Sequence, residues 1–209
     1  MSEAAVPRHL PDRLGSRTKD IVYSWETLLL LVLLAVFTIN SFASPYFLDP
    51  WNLSDATFNF TEKALIALAM ALLIISGEID LSVAAIVALA STAMGYIASI
   101  GGGTGTMVLA GILTGLACGA FNGLLVTRFK LPSIVVTIGT MSLFRGMSFI
   151  VLGDGVFKGY PADFAFFGQG YVWWVFSFEF VFFLCAAAIY AMLLHKTNFG
   201  RLIYAIGNN

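Results

Sequence analysis

Residues 107–127 read MVLAGILTGLACGAFNGLLVT, a run without a single charge. As a helix it would be about 32 Å long, close to the thickness of a bilayer's hydrocarbon core. Gly111, Gly115, Gly119 and Gly123 recur every fourth position, which puts them on one helix face where a second backbone can approach closely, the small-xxx-small packing surface of membrane helices. Similar apolar blocks occupy 27–43, 82–99, 132–152 and 172–194, and a shorter one occupies 64–76. Hydrophobic residues make up 59% of the 209 positions and charged ones 11%, against about 25% charged in soluble domains. The sequence therefore predicts an all-α, polytopic bundle of six spanning helices, with a tail over 1–24 and a transmembrane domain over 25–209. The first block has no convincing small-residue cleavage site and further spans follow it, so it reads as an uncleaved helix.

The charges give the orientation. Arg8, Arg13, Arg17 and Lys19 precede the first block, Arg128 and Lys130 lie between two later ones, and Lys196 and Arg201 follow the last. With a cytoplasmic N-terminus and six crossings all eight fall inside, as the positive-inside rule requires. The outward loops, expected over 44–60 and 153–171, carry Asp49, Asp55, Asp154 and Asp163, and Tyr46, Trp51, Tyr171, Trp173 and Trp174 read as interfacial anchors. The net charge of −1 argues against a nucleic-acid partner. Cys118 and Cys185 each sit inside an apolar block, and His9 and His195 lie far apart in sequence, so neither a metal site nor a nucleophile–base pair is expected. No cofactor is expected. The 101–106 run GGGTGT lacks the lysine of a phosphate loop, so it reads as a flexible outward turn and ATP hydrolysis would have to come from a partner.

The 64–76 block is too short to cross a bilayer and stops at Gly77-Glu78-Ile79-Asp80-Leu81-Ser82. Two readings stay open for this segment: a tight cytoplasmic turn, or a helix break at membrane depth lining a wet cavity. Glu78 and Asp80 are candidates for a translocation path because charges near the bilayer core are costly. The bland alternative is capping, with Gly77 ending one helix and Asp80 or Ser82 accepting from the amides that open the next. Arg145 and Glu179 lie inside apolar blocks. They pair with each other or with Glu78 or Asp80, or else they snorkel to the interface.

Three stretches carry a family likeness: GEIDLSV at 77–83, LPSIVVTIGTMSLFRG at 131–146 and TNFGRLIYAIGNN at 197–209. In these the chain resembles the permease subunits of ribose-type ATP-binding-cassette importers of bacterial inner membranes. Members of that family usually carry glycine where Glu78 stands, and the glutamate is similar to the rhamnose-like branch. The resemblance implies a permease dimer, homo- or heterodimeric, forming one path for a monosaccharide or related polar solute. It also implies a cytoplasmic ATPase and a periplasmic sugar-binding protein as partners, with no covalent chemistry in the permease. Gly200, Arg201, Tyr204 and Gly207 match the run that leads into the family's ATPase-coupling region. The family's chains are longer, which implies that this one stops inside the motif. An ion-gradient-driven carrier using Glu78 and Asp80 is the competing reading, and a polytopic membrane enzyme a more distant one.

Overall fold

The computed structural model describes residues 24–207. The tail expected over 1–24, with Arg8, Arg13, Arg17 and Lys19, and the last two residues therefore lie outside the described residues, Ser24 excepted. Two compact units divide the chain, Met1–Leu53 and Ser54–Asn209.

In the first unit α1 spans Trp25–Ala43. Ser24 caps it, its hydroxyl oxygen accepting from the Thr27 amide at 3.3 Å. The helix is apolar all round, and its few polar side chains are satisfied internally: Thr38, Asn40 and Ser41 donate to the carbonyls of Leu34, Val36 and Phe37. In lipid that self-satisfaction is required of every polar group.

Helix α2 runs Pro50–Ile75 and carries the junction between the units. Its 26 residues give about 39 Å, which corrects the expectation of an outward loop to residue 60 followed by an inadequate apolar block. The start signal is local. Asp49 accepts from the Trp51 amide at 2.8 Å and Pro50 occupies the first helical position, where its missing N–H costs nothing. The polar residues 52–63 are thus the first turns of a long helix.

Within the second unit α3 (Val83–Ser99), α4 (Thr104–Phe129) and α5 (Ser133–Leu152) form the bundle, α3 packing against both of the others. Ala85, Leu89, Cys118 and Phe144 are its buried core, with Ile86 and Met141 against them. Helix α4 starts at Thr104, so only the first part of the glycine-rich 101–106 run is a turn. A short 3-10 turn (Ala162–Phe164), α6 (Ala165–Gln169) and a hairpin of β1 (Tyr171–Trp173) and β2 (Phe176–Ser177) then lead into α7 (Phe178–Lys196) and α8 (Asn198–Gly207). The hairpin binds the first turns of α2. Ser54 donates to the Val175 carbonyl, Thr57 and Ser177 share a hydrogen bond of 3.1 Å, and Phe58 meets Tyr171 edge-on. Five of these helices (α1, α2, α4, α5 and α7) are long and apolar enough to cross a membrane, and the 17-residue α3 is a shorter apolar helix between two of them.

Candidate functional site

The chain between α2 and α3 is where the bundle departs from helix. Gly77 adopts φ +82°, a left-handed conformation natural to glycine. The amide of Glu78 reaches back to the Leu73 carbonyl at 2.9 Å and that of Gly77 to Ile74 at 3.1 Å. This is a Schellman closure, which satisfies two of the free carbonyls at the end of α2. Residues 78–82 then run without helical structure to the first turn of α3.

Asp80 organises that segment. Its Oδ1 accepts from the Ser82 amide at 2.7 Å and from the Ser82 hydroxyl at 2.6 Å. The Ser82 oxygen in turn accepts from Asn122 Nδ2 at 2.8 Å, across 40 positions of sequence. Ser82 is wholly buried and Asn122 is 6% exposed. Because the hydroxyl proton goes to a carboxylate oxygen, the Ser82 oxygen can only receive from the amide, which fixes the orientation of the Asn122 carboxamide. Its Oδ1 is left as one of two buried side-chain oxygens, with Thr104 Oγ1, that have no partner among the described residues. The capping expectation thus holds for Gly77; Asp80 takes the amide of Ser82, the residue before α3, and the Ser82 side chain makes no cap at α3 and joins α3 to α4 instead.

A cavity of about 420 Å³ opens beside this chain of hydrogen bonds, lined by Glu78, Asp80, Asn122, Thr127, Ser133 and Thr137 together with apolar atoms of α2, α4 and α5. Gly119 and Gly123 also line it, and a Cβ added at either would meet no atom within 4 Å. The same holds at Gly115, whereas at Gly111 a Cβ would lie 2.7 Å from the Met94 sulfur. Of the four glycines of the stripe, Gly111 alone is a close packing contact among the described residues.

Arg145 and Glu179 are not brought to the site. Arg145 is exposed on α5 and makes no ion pair with the described residues. The charged side chain that acts on Glu179 is Glu62, another carboxylate, so the expected pairing of Arg145 and Glu179 with each other or with the break does not form. Gly200 and Gly207 are close contacts on α8. A Cβ on Gly200 would strike the Leu194 carbonyl at the corner from α7, and one on Gly207 would strike the Ile75 carbonyl at the end of α2. Arg201 and Tyr204 are exposed, and the Arg201 guanidinium donates to Asn198 Oδ1. Asn122 escaped the reading of the sequence. Its signal was there, a carboxamide in an otherwise apolar span, where an unpaired amide is expensive.

Long apolar helices with a non-helical break and a cavity that a few polar side chains border define a multi-pass membrane protein. The chain belongs to the family described as branched-chain amino acid transport system / permease component, which residues 52–209 match. Among curated relatives it is 34% identical to the ribose import permease protein RbsC of Bacillus subtilis, over 86% of this chain and 56% of that protein. It is 32% identical to the autoinducer 2 import system permease protein LsrC of Yersinia enterocolitica, over 86% of this chain and 50% of the relative, and 33% identical to the LsrC protein of Yersinia pestis, over 85% and 51%. The chain spans about half the length of the curated relatives it matches. No solved structure matches it.

Proposed function

We propose that this chain belongs to the permease subunit of an ATP-binding-cassette importer, forming with a second permease subunit the path for a monosaccharide or related small polar solute. The observation that carries the proposal is the cavity of about 420 Å³ beside residues 77–82, where Glu78, Asp80 and Asn122 stand in a mostly apolar wall between the helices. The relatives' names, import permeases for ribose and for autoinducer 2, support a sugar-like cargo. On this reading the permease does no covalent chemistry, hydrolysis resides in a cytoplasmic ATPase, and a periplasmic sugar-binding protein delivers the solute. Membrane vesicles holding the complete transporter are expected to accumulate labelled sugar only when ATP is supplied. Uptake that follows a proton or sodium gradient and ignores ATP would instead make Glu78 and Asp80 the ion site of a secondary carrier.

The protein would lie in the bacterial inner membrane with its N-terminus in the cytoplasm. Helices α1, α2, α3, α4, α5 and α7 then cross in turn, placing Lys130 inside and Asp163 outside. Single cysteines at these positions test it. An impermeant thiol reagent applied from outside is expected to label Asp163→Cys and spare Lys130→Cys, and the reverse pattern would invert the topology.

A further inference from the structure

We infer that the exposed face of α5 borders water in the assembled transporter, and that Arg145 on that face is a fixed positive charge that keeps cations out of the solute path. This rests on the reading of the chain as one part of such a path and adds how the path stays closed to ions.

Helix α5 has two unlike faces. Val136, Thr137, Thr140, Phe144 and Ser148 are buried, on the side that packs in the bundle. At about 100° per residue the opposite stripe is centred on Ser142 and takes in Ile138, Gly139, Arg145 and Gly146. Ile138, Gly139, Ser142 and Arg145 are exposed and Gly146 is partly so. A Cβ added at Gly139 or Gly146 would meet no atom within 4 Å, so no described residue covers the stripe there. Arg145 has no hydrogen bond or ion pair with any described residue.

Hydrocarbon does not suit this face. Arg145 stands about 18 Å along α5 from Ser133 and about 10 Å from Leu152, at 1.5 Å per residue. Helical Cα–Cβ bonds tilt toward the N-terminus, so the side chain leaves α5 toward Ser133, the farther end. That direction works against a reach to the nearer membrane surface. A charged group at such depth is costly in lipid, and groups like it face water or the interior of a bundle. Gly139, Ser142 and Gly146 around it add no apolar bulk. The guanidinium is charged at every working pH and carries N–H donors only. In a narrow passage with low-dielectric walls its field repels cations strongly, while a neutral solute merely exchanges hydrogen bonds with it.

Two measurements on the complete transporter, with Cys118→Ala and Cys185→Ser, test the inference. Single cysteines are placed at Ser142, on the stripe, and at Leu143, which borders the apolar cavity shared with Ala117 and Phe121 of α4. Sulfonatoethyl methanethiosulfonate, which stays in water, is expected to label Ser142→Cys at least about ten-fold faster than Leu143→Cys, because the thiol must meet water to react. Entry of radioactive sodium into proteoliposomes is then read per ATP hydrolysed, under an inside-negative potential. Arg145→Gln should raise it at least about ten-fold, and Arg145→Lys, which keeps the charge, should stay within about two-fold of the parent. Should Arg145→Gln fail to reach the membrane, Ser142→Asp, which sets an opposite charge one turn from Arg145, should raise sodium entry in its place. Equal labelling at the two positions would overturn the wet face. Faster labelling at Ser142 with sodium entry unchanged in Arg145→Gln would overturn the barrier, as would Arg145→Lys leaking as much as Arg145→Gln. Sugar uptake by the same liposomes separates this from the importer reading: ATP-dependent uptake with no sodium difference sinks the barrier alone, whereas uptake that ignores ATP sinks both.

Discussion

Asp80→Ala in the full-length transporter is expected to cut sugar uptake at least about ten-fold while leaving the protein in the membrane at a normal level. One oxygen of Asp80 receives both the amide and the hydroxyl of Ser82, and hydrogen bonds to a charged group contribute about 1.5–3 kcal/mol each. Losing them frees Ser82 to turn toward another acceptor, and the donation from Asn122 then has no fixed target. The segment 78–82 keeps its glycine closure at Gly77 but loses its tether to α4. Insertion depends on the apolar spans and is untouched; the shape of the cavity wall is not. Asp80→Asn, which retains an oxygen acceptor, should be intermediate. Glu78→Gly should be milder than Asp80→Ala, because Glu78 is exposed and its side chain enters none of the hydrogen bonds of the break. Initial uptake rate set against the amount of permease in the membrane measures all three. Normal uptake by Asp80→Ala at normal abundance would reduce the residue to a replaceable turn former.

The second large effect is expected at α8. Gly207→Ala should abolish substrate stimulation of ATP hydrolysis in the reconstituted complex while sparing the unstimulated rate. A methyl group there would overlap the Ile75 carbonyl, a backbone atom that cannot step aside, so α8 must leave the end of α2. That end is the helix terminus from which the Schellman closure and the Asp80 segment depend. We propose that α8 begins the contact with the ATPase: it follows α7 on the basic side, and Gly200, Arg201, Tyr204 and Gly207 lie on it. Arg201→Lys should also weaken stimulation, because an ammonium cannot reproduce the planar fork that reaches Asn198. An ordinary anchoring helix at the membrane boundary would tolerate lysine there. Full stimulation by both variants would show that the ATPase does not read α8.

The spans were legible in the sequence because twenty apolar residues in a row leave little choice. The ends were less so. Asp49-Pro50 is a helix start, but polar residues at 52–63 masked the helix that follows, since hydropathy alone cannot separate the wet outer turns of a span from a loop. Gly77 as a helix terminator and Asp80 as a receiver of backbone amides could be argued locally, since both act on neighbours within a few residues. The role of Asn122 could not, because its partner lies 40 positions away and only the packing of α3 on α4 brings them together. The glycine stripe shows the same limit from the other side: spacing puts four glycines on one face, and only the tertiary arrangement tells that Gly111 meets Met94 while Gly119 and Gly123 border a cavity.

Most polar side chains within the spans settle their own accounts. Thr92, Thr114, Thr127, Thr137 and Ser148 each donate to a carbonyl four residues earlier on the same helix, so their hydroxyl protons are satisfied before any neighbour is present. Asn122 is different, since its amide is bonded to a serine contributed by an earlier segment of the chain. In the folded bundle that donation joins α4 to the segment that opens α3, which the self-contained hydroxyls of the spans do not do. That one contact works as a cross-tie: a single carboxamide sets the position of α4 along its axis against the 78–82 segment.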